Sequence, residues 1–350
     1  MDIQALHREL WERLQARRAQ LPHALLLSGQ RGIGKFALAQ AFAAGLLCEK
    51  PHADGSACGS CLACGWLGQG NHPDFRLLQP DALAEGEGDD GGDAGEGKKK
   101  ASQQITIEQV RGLDDFLHVG THRQGLRIIL IHPAEAMNRN TANALLKSLE
   151  EPAPGSLFLL VSSESERLLP TIRSRCQSVA VPIPEAGQAA AWLAAAGVKE
   201  GADWLALAGG APCLAVELAD RGERVLLDAL LQALRQGGGL DALAAATSLD
   251  KVVKAEKGAT PLKRLVEWLQ KWHHDLARLN GGLPLRYFVG ERAVLTGLAE
   301  SADKRGLFAF DKELNRFKIE SQTSVNSRLF LESLLQAYAA LFQPTGKMHG

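Results

Sequence analysis

Apolar residues fall in two rhythms along this chain of 350 residues. In the first half they come as short unbroken runs. Ala24-Leu25-Leu26-Leu27-Ser28, Leu126-Arg127-Ile128-Ile129-Leu130-Ile131 and Leu157-Phe158-Leu159-Leu160-Val161 each read as a buried strand, and Pro73 to Leu78 can supply another. Between these runs the spacing becomes helical. Phe36 to Leu47 is an alanine-rich helix, Asn140 to Glu150 is another, and Thr106 with Gln109 makes a capping box that opens a helix through Phe116. Strands alternating with helices predict an α/β fold, a parallel sheet with helices on both faces. From about Arg224 onward only helical spacing remains, as in Leu262, Leu265, Val266 and Leu269, which predicts a packed all-α domain. Trp268 and Trp272 continue that spacing and fit either a core or an interface.

The length suggests two or three domains, with enough apolar content to give each a core. Residues 81–104 break the pattern with glycine, acid and the run Lys98-Lys99-Lys100, and predict a disordered loop. Beside so many acids those lysines read as a solvated charge run more readily than as a DNA contact. A formal net charge of −1 offers no whole-chain attraction for nucleic acid, so any DNA contact must be local or shared. The N-terminal residues lack a basic stretch followed by an apolar one, and no run is long enough to span a bilayer. The expectation is a cytoplasmic protein with no membrane partner.

Candidate chemistry begins with Gly29-Gln30-Arg31-Gly32-Ile33-Gly34-Lys35-Phe36, which lies between the first strand and the first long helix. In such a loop backbone N–H groups and the positive helix end face phosphates, while the lysine reaches the terminal ones. The candidate nucleotide-binding residues are Gly29, Gly32, Gly34 and Lys35. Phe36, however, stands where a Ser or Thr hydroxyl would hold magnesium. The central strand of such a fold should also end in an acid pair, and here that place reads His132-Pro133, with Glu135 beyond it. The loop therefore predicts weak ATP binding or none, and a glycine-rich turn with no nucleotide remains an alternative.

Four of the six cysteines crowd into one window as Cys48, Cys58, Cys61 and Cys64. Two-residue gaps let neighbouring sulfurs converge on one ion, and four thiolates suit a tetrahedral structural zinc with no open position for substrate. A redox dithiol and an iron–sulfur cluster are the competing readings.

With Asn143-Ala144-Leu145-Leu146-Lys147-Ser148-Leu149-Glu150-Glu151-Pro152 and Thr171-Ile172-Arg173-Ser174-Arg175-Cys176 added, the chain resembles the clamp-loader branch of the AAA+ ATPases. The four-cysteine insert narrows the likeness to bacterial subunits, and Val325 to Leu335 is similar to their closing helix. The resemblance implies an AAA+ P-loop domain over residues 1–181 with a zinc module at 48–64, a helical lid over 182–223 hinged near Pro182 and Pro184, and a collar domain over 224–350. It also implies that Arg175, within Ser174-Arg175-Cys176, acts as an arginine finger in trans at a neighbour's ATP site. Cys176 would be a packing thiol. In the lid the family carries a nucleotide-sensing arginine in a Gly-Ser-x-Arg pattern, where this chain has Gly209-Gly210-Ala211-Pro212. The implied partners are the gamma/tau motor subunits, the delta clamp-opening subunit and, through the assembled complex, the sliding clamp and primed DNA. An autonomous motor-type ATPase and a zinc-dependent DNA-binding module are the rival functions.

Overall fold

The computed structural model describes residues 2–84, 102–118, 125–255 and 261–343. Its contacts form two compact units, Met1–Trp192 and Leu193–Gly350.

The first unit is built on five parallel strands. They are β1 (Ala24–Ser28), β2 (Phe75–Leu78), β3 (Arg127–Ile131), β4 (Ser156–Ser162) and β5 (Gln177–Ala180), in the order β2-β3-β4-β1-β5. Parallel strands need crossovers, and helices supply them. The helices of this unit are α1 (Ile3–Leu6), α2 (Arg8–Ala16), α3 (Lys35–Leu47), α4 (Leu62–Gly68), α5 (Asp81–Ala84), α6 (Ile107–His118), α7 (Arg139–Glu150) and α8 (Pro170–Arg173). β3 and β4 are buried along their whole length, as strands covered on both faces must be, which explains their unbroken apolar runs.

The four strands read from the sequence are present, and β2 starts at Phe75. The capping box at α6 is formed in both directions. Thr106 N donates to Gln109 Oε1 at 2.8 Å, and Gln109 N donates to Thr106 Oγ1 at 3.4 Å. Most of residues 81–104, read as disordered, lies outside the described residues, and its first four form α5.

Helix α9 (Ala186–Ala195) carries the chain from the first unit into the second. The second unit is helical throughout its described residues. It contains α10 (Gly201–Leu207), α11 (Pro212–Asp220), α12 (Arg224–Leu234), α13 (Ala242–Ala255), α14 (Pro261–Asn280), α15 (Arg292–Ser301), α16 (Lys304–Glu320) and α17 (Ser327–Ala339). Trp268 and Trp272 are core residues, at 1% and 0% exposure. The Trp272 indole donates to Tyr338 Oη at 3.0 Å, and Tyr338 in turn donates to the Leu234 carbonyl at 2.7 Å, so two buried aromatic polar groups are satisfied by one chain of bonds. Buried Asp275 accepts from the backbone N–H groups of Arg286, Tyr287 and Phe288 at 2.8 to 2.9 Å and ties the loop after α14 to that helix. The buried Glu223 carboxylate is paired with Arg264.

Candidate functional site

The phosphate-loop residues sit where β1 hands over to α3. Gly34 is the N-cap of α3 with φ +92°, a left-handed conformation that costs a side-chain-bearing residue but not glycine. His7 Nε2 lies 2.6 Å from the Ile33 carbonyl oxygen and binds the N-terminal helices to the loop. The Lys35 side chain does not extend into open space. Its Nζ donates to Gly29 O at 2.8 Å, to Gln30 O at 2.6 Å and to Ser163 Oγ at 2.9 Å, and the residue is only 4% exposed. An ammonium has three N–H donors, so all of them find partners inside the chain. Burial pulls Lys35 down to about 8, with nearby Glu135 opposing the shift.

Beside this lysine the Phe36 ring lies on the His132 ring, centroids 4.3 Å apart and planes inclined by 17°. Burial lowers His132 to about 4, so the imidazole is neutral near pH 7. Glu135 Oε1 accepts from Ser163 N at 2.9 Å, while its buried Oε2 has no hydrogen-bond partner among the described residues. The structure thus brings Lys35, Phe36, His132, Glu135 and Ser163 together. Ser163 was not singled out from the sequence. Its signal lies in topology: β4 pairs with β1 through Ser162 and Ser28, so the residue after β4 must sit at the mouth of the loop that follows β1.

Arg175 stands in the turn between α8 and β5, with its backbone N–H donating to Ile172 O at 3.1 Å. Its Nη1 donates to Thr171 O at 2.9 Å, and its Nη2 is 2.6 Å from Glu150 Oε1. A third of the side chain remains exposed, at 34%. Neighbouring Arg173 pairs with a different acid, Glu166, at 2.9 Å. Ser174 caps α8 and bonds to Thr171 O. Cys176 lies in the sheet core, where burial pushes its thiol up to about 11 and keeps it protonated.

The cysteine window folds into one cluster. Sulfurs of Cys48, Cys58, Cys61 and Cys64 all lie within 4.8 Å of one another, and Cys48 and Cys61 are 3.8 Å apart. A tetrahedron with Zn–S bonds of about 2.3 Å has edges of about 3.8 Å, so the spacing fits a bound ion of that kind. Backbone N–H groups of Ser60 and Cys61 hold the Cys58 thiol down to about 6, whereas burial pushes Cys64 up to about 12. Cys48 caps the C-terminal end of α3, and Cys61 caps the start of α4, its sulfur accepting from Cys64 N. The intervening turn packs tightly on the fold. A Cβ on Gly45 would meet Gly55 O at 2.2 Å, and the Trp11 indole donates to Asp54 O at 2.8 Å. These four residues could hold a metal such as zinc.

Comparison with known proteins adds the family. A family model described as "DNA polymerase III, delta subunit" matches residues 5–184. The DNA polymerase III subunit delta' of Pseudomonas aeruginosa is 36% identical over 358 residues, covering 98% of this chain and 99% of that protein. The chain belongs to the DNA polymerase III delta prime family. The Escherichia coli delta prime subunit is 33% identical over 171 residues, 49% of this chain and 46% of its own. Among solved structures, a Thermotoga maritima protein described as DNA polymerase III gamma subunit-related aligns over 95% of this chain and all of its own, with TM-score 0.52 and 16% identity. That likeness carries the fold alone. In this delta prime family member the parallel sheet, the cysteine cluster and the helical C-terminal part expected from the sequence are all present.

Proposed function

We propose that the chain is a clamp-loader subunit that does not turn over ATP itself and lends Arg175 to the ATP site of an adjoining motor subunit. The observation that carries this reading is the Phe36–His132 stack at 4.3 Å. A hydrolysing site needs a hydroxyl at the first of these positions and a carboxylate close to the second, converging on one magnesium ion. An aromatic pair supplies neither. The Lys35 ammonium, held by Gly29 O, Gln30 O and Ser163 Oγ, would have to give up internal bonds to meet a phosphate, which supports weak nucleotide binding or none. Pro212 at the first turn of α11 supports it further, since no side chain there can sense a phosphate.

Arg175 suits the donor role chemically. Its planar fork matches phosphate oxygens, and positive charge offsets what develops on the transferred phosphoryl group. The partners of this reading are the gamma/tau motor subunits and the delta clamp-opening subunit, with the sliding clamp and primed DNA engaged through the assembly. Residues 182–223 would serve as the lid and 224–350 as the collar that joins the subunits. Zinc in the cysteine cluster would clip the insert to α3, and the working compartment would be the cytoplasm.

ATP turnover tests the proposal in two arms. The isolated chain should turn over essentially none, and the complex reconstituted with motor and delta subunits should lose activity when it carries Arg175→Ala. Robust turnover by the isolated chain would refute the first half, and an Arg175→Ala complex as active as the parent would refute the second.

A further inference from the structure

Glu150 is placed against its own helix. It is the last residue of α7, followed by Glu151, so two carboxylates stand at the negative end of the helix dipole, where cations are the favoured side chains. Lys147 in the same turn offsets this only in part, and no ion pair joins it to Glu150 among the described residues. The contact of Glu150 is instead long-range, to Arg175 Nη2 at 2.6 Å. That arginine is held at a second point, Thr171 O, 2.9 Å from Nη1. An ion pair at one terminal nitrogen and a hydrogen bond at the other fix which edge of the planar fork faces the chain. The other guanidinium N–H donors have no partner among the described residues.

Resting on the reading of Arg175 given above, we propose that Glu150 is a positioning residue that orients the Arg175 guanidinium before it meets the neighbouring subunit's nucleotide. A long side chain free in solvent must lose its rotamer freedom at the moment of reaction, whereas one already bridged between Glu150 and Thr171 has lost most of it on folding. Both partners are substantially exposed, at 34% and 48%, so the pair adds little to stability, and its consequence falls on the geometry of the arginine.

The test is a double-mutant cycle on ATP hydrolysis by the reconstituted complex, with kcat and KM for ATP measured separately. Glu150→Ala should lower kcat about three- to tenfold with KM for ATP within twofold of the parent, and Glu150→Gln, which keeps one acceptor, should lower it less. In an Arg175→Ala background, Glu150→Ala should cause no further loss. If Arg175→Ala lowers kcat but Glu150→Ala and Glu150→Gln do not, the positioning role is overturned while the role of Arg175 stands. An equal loss from Glu150→Ala with and without Arg175 would also overturn it, because the effect would then be structural. If Arg175→Ala itself leaves kcat unchanged, both ideas fall together.

Discussion

Two basic side chains in the first unit are held in opposite ways. Lys35 is turned inward, 4% exposed, with its ammonium donating to two carbonyls and a serine hydroxyl of its own chain. Arg175 is turned outward, its fork held on one edge by Glu150 and Thr171 while a third of the side chain stays exposed. The loop that resembles an active site has closed on itself, and the turn that resembles an ordinary surface feature has a cation on offer. A motif's glycines and lysine show descent of the backbone. Whether chemistry remains depends on where the charged atoms point.

Substitutions can break this contrast, and the largest effect should come from the outward member. If Arg175 acts in trans as proposed, Arg175→Ala should cut ATP hydrolysis at the neighbouring site by roughly a thousandfold or more, while changing the stability of the isolated chain by less than about 1 kcal/mol. Steady-state turnover of the complex and urea melts of the chain measure the two quantities. Metal removal acts on neither member directly and tests whether the cluster is structural. At free zinc a hundredfold above its Kd the bound ion contributes about 2.7 kcal/mol, so chelation should lower the melting temperature, and Cys61→Ser should abolish metal content by elemental analysis. Lys35→Met should reverse the pattern of Arg175→Ala. It leaves Gly29 O, Gln30 O and Ser163 Oγ short of a donor and should destabilise the chain by roughly 1–3 kcal/mol, with activity of the complex within about twofold of the parent. A complex crippled by Lys35→Met would instead place working nucleotide chemistry in this loop.

Acid should act on the inward site through His132. Its folded pKa of about 4 lies below the ordinary value of 6.5, so the unfolded chain takes up the proton first as pH falls. The stability of the neutral imidazole is complete above pH 6.5, declines between 6.5 and 4 by at most about 1.4 kcal/mol per unit, and changes no further below. His7, His72, His273 and His274 are also lowered by burial, so the measurement is a difference: His132→Asn should flatten the urea midpoint between pH 7 and 5 relative to the parent. The smallest effect belongs to Phe36→Thr. Restoring the hydroxyl while His132 and Pro133 remain should yield no ATP turnover and cost about 0.5–1.5 kcal/mol of ring stacking. Turnover appearing in that variant would mean that the loop lacks only its hydroxyl.

Much of the architecture could be read from local pattern, because β1, β3 and β4 are unbroken apolar runs and α6 carries its capping box. β5 was not apparent. It is an edge strand whose residues are exposed except Val179, so neither an apolar run nor strict alternation marks it. The cysteine cluster was legible from spacing, since its ligands lie within one short window of chain. The partners of Lys35 and Arg175 were not. Ser163 reaches Lys35 across 128 positions, and Glu150 reaches Arg175 from the end of α7, so both contacts follow from strand order and helix placement. Trp268 and Trp272 had the spacing of core and interface alike, and only their burial, at 1% and 0% exposure, decides for the core. Glu135 lies beyond the end of β3, as read from the sequence, and the turn after the strand returns its carboxylate to Ser163 N.

Helix α3 begins at Lys35 and ends at Leu47, with Cys48 as its cap, so one rigid rod has the phosphate loop at its head and one sulfur of the cysteine cluster at its foot. Its 13 residues span about 20 Å at 1.5 Å per residue. A paramagnetic ion such as cobalt, substituted at the cysteines, would therefore sit at a fixed ruler length from the loop. The paramagnetic shift it imposes on a labelled nucleotide would report occupancy of the loop inside a crowded multi-subunit assembly, where turnover by the other subunits would mask any catalytic signal.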